Sequence, residues 1–307
     1  CHDNVVYYHD IYCSLPLQRI KEKFMIKTKK RVSFSSILSR ILIYTILLVC
    51  AIYFLLPLFV MIITSLKSID EIKNGSLLSL PQVVTFQPWI DAWSNARIGP
   101  DSSGIKPYFL NSVMLTIPAV LITSVIGAFN GYVFAKWKFK YSEIFFSLLL
   151  FGCFIPFQVI LLPMSQTMGF MGLSGSIWGL VFVHVVYGIA FTTLFFRNFY
   201  VSIPTELINA AKIEGAGFFR IFFKILLPVS MPIFMVCFIW QMTQVWNEFL
   251  FGIVFTDSET QPITVALNNL VNSTSAVKMY NIDMAAALIA VAPTLIAYVV
   301  SGKYFVK

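Results

Sequence analysis

Charged side chains are what this sequence has least of. Only 12% of its 307 residues are Asp, Glu, Lys or Arg, whereas a soluble domain carries about 25%. Hydrophobic residues make up 58% of the chain, and its mean hydropathy is +0.80. So few charges cannot cover that much apolar surface in water, which excludes a soluble enzyme, a nucleic-acid-binding protein and a disordered chain. The composition predicts a polytopic membrane protein without a large soluble domain, since each crossing takes about 20 apolar residues.

Paired cysteines and clustered metal ligands are also absent from the sequence. No CxxC pair exists, so neither a zinc site nor a disulfide framework is predicted for the five cysteines, Cys1, Cys13, Cys50, Cys153 and Cys237. The sequence has no His, Asp and Glu cluster at metal-ligand spacing and no Ser/His/Asp set, which argues against a membrane-embedded enzyme. The phosphate-binding motif of ATPases is missing too, because Gly302-Lys303 is followed by Tyr304. We therefore expect no metal, no cofactor and no nucleic acid.

Six apolar runs are each near or above the length of a membrane-spanning helix. A basic segment precedes the first run, but this run is too long for a signal peptide and lacks a convincing cleavage site. Prolines inside the runs are compatible with spanning helices, because neighbouring helices satisfy the carbonyls that proline frees. The six predicted spans are 41–63, 109–135, 144–162, 177–196, 229–255 and 284–300.

Lys and Arg are concentrated on one side of these spans, and cytoplasmic loops carry the excess of such residues. The two terminal segments and the even-numbered connections hold 17 of them, against five on the opposite side. Both termini are therefore predicted to be cytoplasmic, which agrees with an even number of spans. Residues 1–36 form a cytoplasmic N-terminal segment, and 37–307 form the transmembrane domain. We expect Met25 to be the natural start and 1–24 to be non-native.

The connection between spans four and five, here called the connecting loop (197–228), is long and patterned. Ser202 is predicted to cap a short helix that has Pro204 in its first turn. Glu206 complements the positive end of the helix dipole. Gly215 is predicted to end the helix in a sharp turn, because glycine adopts the left-handed conformation without strain.

One face of this loop helix carries little side-chain bulk. The spacing i, i+3, i+4, i+7 places on it Leu207, Ala210, Ala211 and Glu214. Gly217 follows, and a second amphipathic piece leads to Pro228 at the mouth of span five. Such a face suits insertion into a groove of another protein. The alternative, an interfacial helix lying on lipid headgroups, is left open by the residues alone.

The connecting loop resembles the EAA loop of ABC importer permeases. The family pattern, Glu-Ala-Ala followed by Gly and then Ile-x-Leu-Pro, is matched in spacing by Asn209-Ala210-Ala211, Gly215 and 225–228. The sugar-importer version is similar to Ser202-Ile203-Pro204-x-Glu206-Leu207 and to Trp246-Asn247-Glu248-Phe249-Leu250-Phe251. The resemblance runs from residue 34 to the end and is to MalG-like permeases of the carbohydrate uptake class. The stretches 194–208 and 261–270 look most like the glucose/mannose-type importers.

This resemblance implies an all-α, type I ABC importer permease (MetI-like) fold with six transmembrane helices in a bacterial inner (plasma) membrane. Such a permease is not an enzyme, because a separate ATPase dimer docks on the loop and hydrolyses ATP. A second homologous permease completes the pathway, and a periplasmic sugar-binding protein delivers the substrate, here a monosaccharide such as glucose or mannose. The residues that match the ATPase-coupling region are Pro204, Glu206, Asn209, Ala210, Ala211, Glu214, Gly215 and Pro228.

Asn209 is the main departure from the family pattern, which has Glu there. Glu214 in place of a common Asp is conservative by comparison. Asn209 lacks the charge that an ion pair with the ATPase needs. We therefore expect docking by shape, at Ala210, Ala211 and Gly215.

Polar groups inside a span are costly and are candidates for function. Gln241, Gln244 and Glu248 share one face of span five by i, i+3, i+7 spacing, with Trp246 and Asn247 beside them. An aromatic ring next to amide and carboxylate groups suits a sugar, which stacks on rings and forms hydrogen bonds through hydroxyls. This is the possible substrate path. The alternatives left open are polar contacts between helices and a position at the water interface.

The rival function is a secondary transporter driven by an ion gradient. It needs a relay of ionisable groups in the membrane, and Glu248 alone is thin support for one. We expect His184 in span four to be a hydrogen-bonded packing residue rather than a member of a relay. The outer loop, 64–108, suits contact with a periplasmic partner and coverage of its own helices equally well.

Overall fold

A computed structural model of the chain describes residues 34–99, 102–273 and 278–305. The expectations for 1–24 and Met25 lie outside this part. The chain divides into two compact units within its first helix, Cys1–Leu58 and Phe59–Lys307. Every regular element of the described part is a helix: fourteen α-helices, a 3₁₀ helix over Gly152–Phe154 and a π-helix over Phe222–Leu226. The α-helices are numbered in chain order. They are α1 Phe34–Ser65, α2 Ile69–Asn74, α3 Gln87–Ser94, α4 Lys106–Lys136, α5 Ser142–Phe151, α6 Leu161–Phe170, α7 Ile177–Ser202, α8 Thr205–Ile213, α9 Phe218–Ile221, α10 Leu227–Val229, α11 Met231–Trp246, α12 Leu250–Phe255, α13 Ile263–Val271 and α14 Tyr280–Phe305.

Four helices of the described part are long and apolar enough to cross a membrane. These are α1, α4, α7 and α14, and they contain the predicted spans 41–63, 109–135, 177–196 and 284–300. A fifth crossing is obtained only if Phe218–Val229 and Met231–Trp246, which are bent by 77° relative to each other, count as one. The lengths therefore support a multi-pass membrane protein but give four or five spans rather than six.

The third predicted span, 144–162, is not a single helix. Helix α5 ends at Phe151, a 3₁₀ turn follows over Gly152–Phe154, and α6 begins only at Leu161. Glycine is a poor helix former, and Pro156 pushes the residue before it, Ile155, into an extended conformation. The hydropathy of the run is that of a span, but its backbone is interrupted.

The fifth predicted span, 229–255, is interrupted twice, by a bend near its start and by a short break before its last six residues. The bend lies at Ser230, between Pro228 and Pro232, whose missing N–H groups remove helical hydrogen bonds. The Ser230 hydroxyl donates to the Leu226 carbonyl at 2.5 Å, and its oxygen can accept from the Tyr200 hydroxyl, 3.1 Å away. Helix α11 then ends at Trp246, and α12 starts after a short break.

Helices α4 and α7 lie in close contact because α4 carries glycines four residues apart, at Gly127 and Gly131. A Cβ on Gly127 would collide with Thr192, and one on Gly131 would lie 2.7 Å from the backbone nitrogen of Arg197. The Thr192 hydroxyl has the Gly188 carbonyl of its own helix at 2.9 Å and the Thr123 carbonyl of α4, across this contact, at 3.2 Å. This arrangement is the small-xxx-small packing typical of membrane helices.

The outer loop packs partly on its own helices. The Trp89 indole in α3 donates to the Ser65 hydroxyl at 3.2 Å, and the Asn281 amide donates to the Lys67 carbonyl at 3.1 Å. Ala92 is buried in a core cluster shared with α4, α13 and α14. The stretch 77–86 instead exposes large apolar side chains. The loop therefore covers its own helices in part, and contact of the remainder with a periplasmic partner stays a prediction.

Candidate functional sites: the connecting loop and a polar cavity

The connecting loop contains α8, as the sequence predicts, but its start differs. Ser202 is the last residue of α7, where its hydroxyl donates to the Phe199 carbonyl at 2.7 Å, so the prediction that it caps α8 is wrong. Pro204 occupies the N-cap position instead and offers no side-chain acceptor. Glu206 lies in the first turn, exposed, where its charge complements the helix dipole.

Gly215 ends α8 in a Schellman motif. Its φ is +80°, in the left-handed region. The Ala216 N–H donates to the Ala211 carbonyl at 2.9 Å, and the Gly215 N–H donates to the Lys212 carbonyl at 3.0 Å. A Cβ on Gly215 would meet no atom within 4 Å. Glycine is therefore required here by backbone conformation and not by packing within the chain.

The predicted coupling residues do not all lie on the same face of α8. Ile208 and Ala211 are buried in a cluster that includes Tyr200, Ile221 and Phe222. The exposed side of the loop presents Pro204, Glu206, Asn209, Ala210, Glu214, Gly215 and Pro228. Ala211 therefore packs beneath the helix, away from the surface that a partner would contact.

Ile213 is an exposed apolar residue that the sequence reasoning missed. It lies at the end of α8 with 88% of its surface accessible, between Lys212 and Glu214. An isoleucine outside the apolar i, i+3, i+4 pattern was the available signal. It extends the exposed face of α8 with a bulky apolar side chain.

Basic side chains fasten the connecting loop to the end of α4. The Lys136 ammonium donates to the Ile203 carbonyl at 2.6 Å, and the Lys212 ammonium lies 4.4 Å from the centre of the Trp137 ring. Nearby, Arg197 at the base of the loop pairs with Glu143 at 3.0 Å. The contacts of Lys136 and Lys212 hold α8 close to the end of α4, and the Arg197–Glu143 pair joins α7 to α5.

A cavity of about 520 Å³ lies between α7 and the region where α11 gives way to α12. Four of the predicted substrate-path residues line it: Gln241, Gln244, Asn247 and Glu248. The remaining lining is mostly aromatic and includes Phe157, Tyr187, Phe191, Trp240 and Phe251. Its size and its mixture of aromatic and amide groups are typical of small-molecule sites.

Trp246 does not line this cavity. Its indole N–H donates to the Ala290 carbonyl in α14 at 2.9 Å, and its ring meets Phe109 edge-on at 5.4 Å between centroids. Only 3% of its surface is exposed. The tryptophan of the cavity is Trp240, which lies earlier in α11 and shares a helix face with Gln244 and Asn247.

Both carboxylate oxygens of Glu248 accept hydrogen bonds from backbone N–H groups. Its carboxylate oxygens accept from the Phe251 N–H at 2.7 Å and the Gly252 N–H at 3.1 Å, so it caps the first turn of α12. Its own carbonyl accepts from the Thr264 hydroxyl at 2.7 Å. These contacts favour a structural role for Glu248, because its carboxylate is already engaged and is not free to bind substrate.

Glu248→Ala is expected to lower the thermal stability of the purified protein, because the first N–H groups of α12 lose their acceptor. Losing a cap of this kind typically costs about 1 kcal/mol. Glu248→Gln keeps one acceptor oxygen and should lose less. Thermal unfolding in detergent, followed by circular dichroism, measures the difference. An alanine variant as stable as the parent would show that these hydrogen bonds contribute nothing.

The expectation that the His184 ring is hydrogen-bonded is contradicted at one of its two nitrogens. The residue lines the cavity with 5% of its surface exposed, and its Nε2 finds no partner among the described residues. The Gln241 amide next to it donates at 3.4 Å to the His184 backbone carbonyl rather than to the ring. Gln241 approaches α7 closely there because Gly188 leaves room for its amide. Among the described residues no His, Cys, Asp and Glu group is arranged to hold a metal.

Comparisons with known proteins agree on one family. Residues 124–306 match the binding-protein-dependent transport system inner membrane component family. A probable ABC transporter permease of Pyrococcus horikoshii is 38% identical, over 88% of this chain and 94% of its own. A xylose/arabinose import permease of Haloferax volcanii is 31% identical over 83% and 87% of the two chains, and a glucose import permease of Saccharolobus solfataricus is 30% identical over 86% and 91%. A bacterial ABC transporter that imports the acidic polysaccharide alginate contains a chain with the same fold, at a TM-score of 0.77, 20% identity and coverage of 89% and 98%.

Proposed function

The chain belongs to the family of binding-protein-dependent transport system inner membrane components, and from this premise we propose what it carries and how it is driven. It is a multi-pass ABC importer permease of the carbohydrate uptake class and not an enzyme. We propose that it moves a monosaccharide such as glucose or mannose across a bacterial inner (plasma) membrane. The glucose import permease among its relatives supports this choice.

The observation that carries the mechanism is the exposed face of α8, closed by Gly215. In this proposal an ATPase dimer docks on Pro204, Glu206, Asn209, Ala210 and Glu214, which are all exposed. The Schellman turn fixes where that face ends, and Ala211 supports it from below. Because Asn209 is uncharged, the contact relies on shape and on the exposed Ile213 more than on an ion pair.

The remaining partners follow from the same proposal. A second homologous permease forms the other half of the pathway, and a soluble binding protein delivers sugar on the side opposite the connecting loop. Six spans with both termini cytoplasmic would place that loop beside the ATPase. In this scheme the broken segment α5 and α6 together account for the third crossing. The excess of Lys and Arg on one side supports this orientation.

The orientation predicts opposite labelling of two exposed positions. A cysteine at Glu214 should react with an impermeant thiol reagent only after the cytoplasmic side is opened, whereas one at Ser258 should react in cells whose outer barrier alone has been permeabilised. Both residues are exposed, so any difference in labelling reports the side of the membrane on which each residue lies. The parent, with its own cysteines, gives the background. Labelling of Glu214→Cys from outside would reverse the proposed topology.

ATP-driven uptake tests the function itself. The transporter is isolated through an affinity tag on this chain, so that its partner subunits are purified with it. It is reconstituted into proteoliposomes with ATP inside, the soluble binding protein outside and no ion gradient. Labelled sugar should accumulate with ATP and not with a non-hydrolysable analogue. Accumulation driven by an imposed ion gradient without ATP would instead establish the rival secondary transporter. That rival already lacks support from Glu248, whose oxygens accept backbone hydrogen bonds.

A further inference from the structure

The stretch 77–86 of the outer loop exposes its large apolar side chains. Their accessible fractions run from 55% to 74%. The residues are Leu77, Leu78, Leu80, Val83, Val84 and Phe86. No charged residue occurs anywhere from 74 to 90. A contiguous apolar surface of this kind is uncommon where a protein meets water, and it marks contact with a membrane or with another protein.

Hydrogen bonds fasten this stretch to the two residues that follow the first membrane-spanning helix. The Thr85 N–H donates to the Leu66 carbonyl at 3.0 Å. The Lys67 ammonium donates to the Ser79 hydroxyl at 3.1 Å and to the Ser76 carbonyl at 3.3 Å. Because α1 ends immediately before these two anchor residues, the stretch is held at the level where a spanning helix leaves the hydrocarbon core.

Polar groups of the stretch find their partners within the chain. The Ser79 hydroxyl donates to the Ser76 carbonyl at 2.7 Å, and the Gln82 N–H donates to a carboxylate oxygen of Glu71 at 2.7 Å. Pro81, beside Gln82, carries no N–H at all. Irregular backbone at the edge of a bilayer needs such internal partners, because hydrocarbon supplies none. The polar groups are thus engaged internally while the apolar side chains are free to meet lipid.

The end of α1 provides a membrane-facing surface next to the stretch. Its last turns expose further apolar side chains, among them Phe59 and Ile62. A soluble binding protein is the rival occupant, but it leaves after each delivery and would return the patch to water. Interfaces that form and dissociate have a polar rim, and residues 74–90 supply no charge for one. A bilayer, in contrast, is always present beside α1.

We propose that the stretch 77–86 inserts its apolar side chains into the lipid leaflet beside the end of α1 and anchors the outer loop there. The backbone lies among the headgroups, and side chains such as Leu80 and Val83 reach the acyl chains. Because the stretch has no charged residue, insertion depends on apolar burial and requires no anionic lipid. Lipid contact here is independent of the transported substrate and of the ATPase.

Photocrosslinking from the stretch tests this anchor. The photoreactive amino acid p-benzoylphenylalanine is introduced at Leu80 in one variant and at Val83 in another. The intact transporter, purified with its partner subunits, is placed in nanodiscs of tritiated phosphatidylcholine with the soluble binding protein added. Illumination should join this chain to labelled lipid in both variants. Including phosphatidylglycerol in the nanodiscs should leave the total yield of lipid adduct unchanged, since the stretch carries no cation.

Ser258 is the matched control position. It is exposed in another loop predicted on the same side, but it lies between Asp257 and Glu259, whose charges favour water. The same amino acid at Ser258 should give about tenfold less lipid adduct. Adding Leu80→Asp to the Val83 variant should lower its lipid adduct severalfold, because a carboxylate leaves water at a large cost. Leu80 is exposed, so the monodisperse fraction should stay that of the parent.

Three results would overturn the anchor. Crosslinks from both positions mainly to another protein would assign the stretch to a protein interface, and mass spectrometry of the adduct would show whether the partner is the binding protein or the second permease. Lipid adduct at Ser258 equal to that at Val83 would mean that the label reports general proximity to the bilayer. Absence of any adduct from Leu80 and Val83 would place the stretch in water.

Discussion

Replacing Gly215 with aspartate is expected to abolish sugar uptake while the protein stays inserted in the membrane. The backbone at Gly215 is left-handed, with φ +80°, which costs a residue with a Cβ about 1–2 kcal/mol. A Cβ there meets nothing within the chain, so the fold tolerates the side chain sterically. The carboxylate would instead project from the surface proposed to meet the ATPase. The measurements are uptake by the reconstituted transporter and recovery of the ATPase on the tagged chain.

Gly217 provides the matched control for this variant. It lies two residues further on, is exposed, and has the same open space where a Cβ would be added, but its φ is −77°. Aspartate is a favourable N-cap residue, and Gly217 is the N-cap of α9. Gly217→Asp should therefore keep most of the uptake. If both variants transport like the parent, the loop does not couple to an ATPase through this turn.

Gly131→Val is expected to reduce the yield of folded protein severely. The nearest atoms to a Cβ at this position are the Phe196 Cβ at 2.6 Å and the Arg197 backbone nitrogen at 2.7 Å, so α4 and α7 would have to separate. Overpacking typically costs about 1–3 kcal/mol, and a backbone neighbour cannot rotate away as a side chain does. The measurement is the monodisperse fraction in size-exclusion chromatography after detergent extraction.

Gly169→Val tests whether this effect is one of packing. Gly169 also lies in a helix of an apolar region, α6, but the nearest atom to its Cβ position is the Ser174 hydroxyl at 3.7 Å, an ordinary contact. Its substitution should leave the monodisperse fraction close to that of the parent. Equal losses for the two valine variants would mean that the close approach of α4 and α7 does not limit folding.

Local signals in the sequence predict the connecting loop well. A proline, an amphipathic stretch and a following glycine determine α8 and its end at Gly215, because helix termini depend on residues a few positions apart. Which side of α8 faces the protein is a matter of tertiary packing. Ala211 and Ala210 are adjacent in sequence, yet only Ala211 is covered by the cluster around Tyr200.

The lining of the cavity was harder to predict. Trp240 and Trp246 both lie in α11, and the orientation of α11 about its own axis decides which of them faces the cavity. The neighbours Asn247 and Glu248 favour Trp246 as a cavity residue, but its indole hydrogen-bonds to α14, and Trp240 lines the cavity instead. Hydropathy likewise finds the run 144–162 but cannot register the break that Gly152 and Pro156 impose. The four-residue spacing of Gly127 and Gly131 is visible in the sequence and is a signal for the close contact of α4 with α7.

The short break between α11 and α12 has a consequence for water. Helix α11 has 16 residues, and at about 1.5 Å each it is some 24 Å long, less than the ~30 Å of a bilayer core. Non-helical backbone at membrane depth is tolerated only inside protein or beside a water-filled space. Asn247, Glu248 and Phe249 form this break within the predicted span, and all three line the cavity. If this break lies at membrane depth, as the predicted span implies, water in the cavity would supply partners for its backbone groups, and an arriving ligand would have to displace that water.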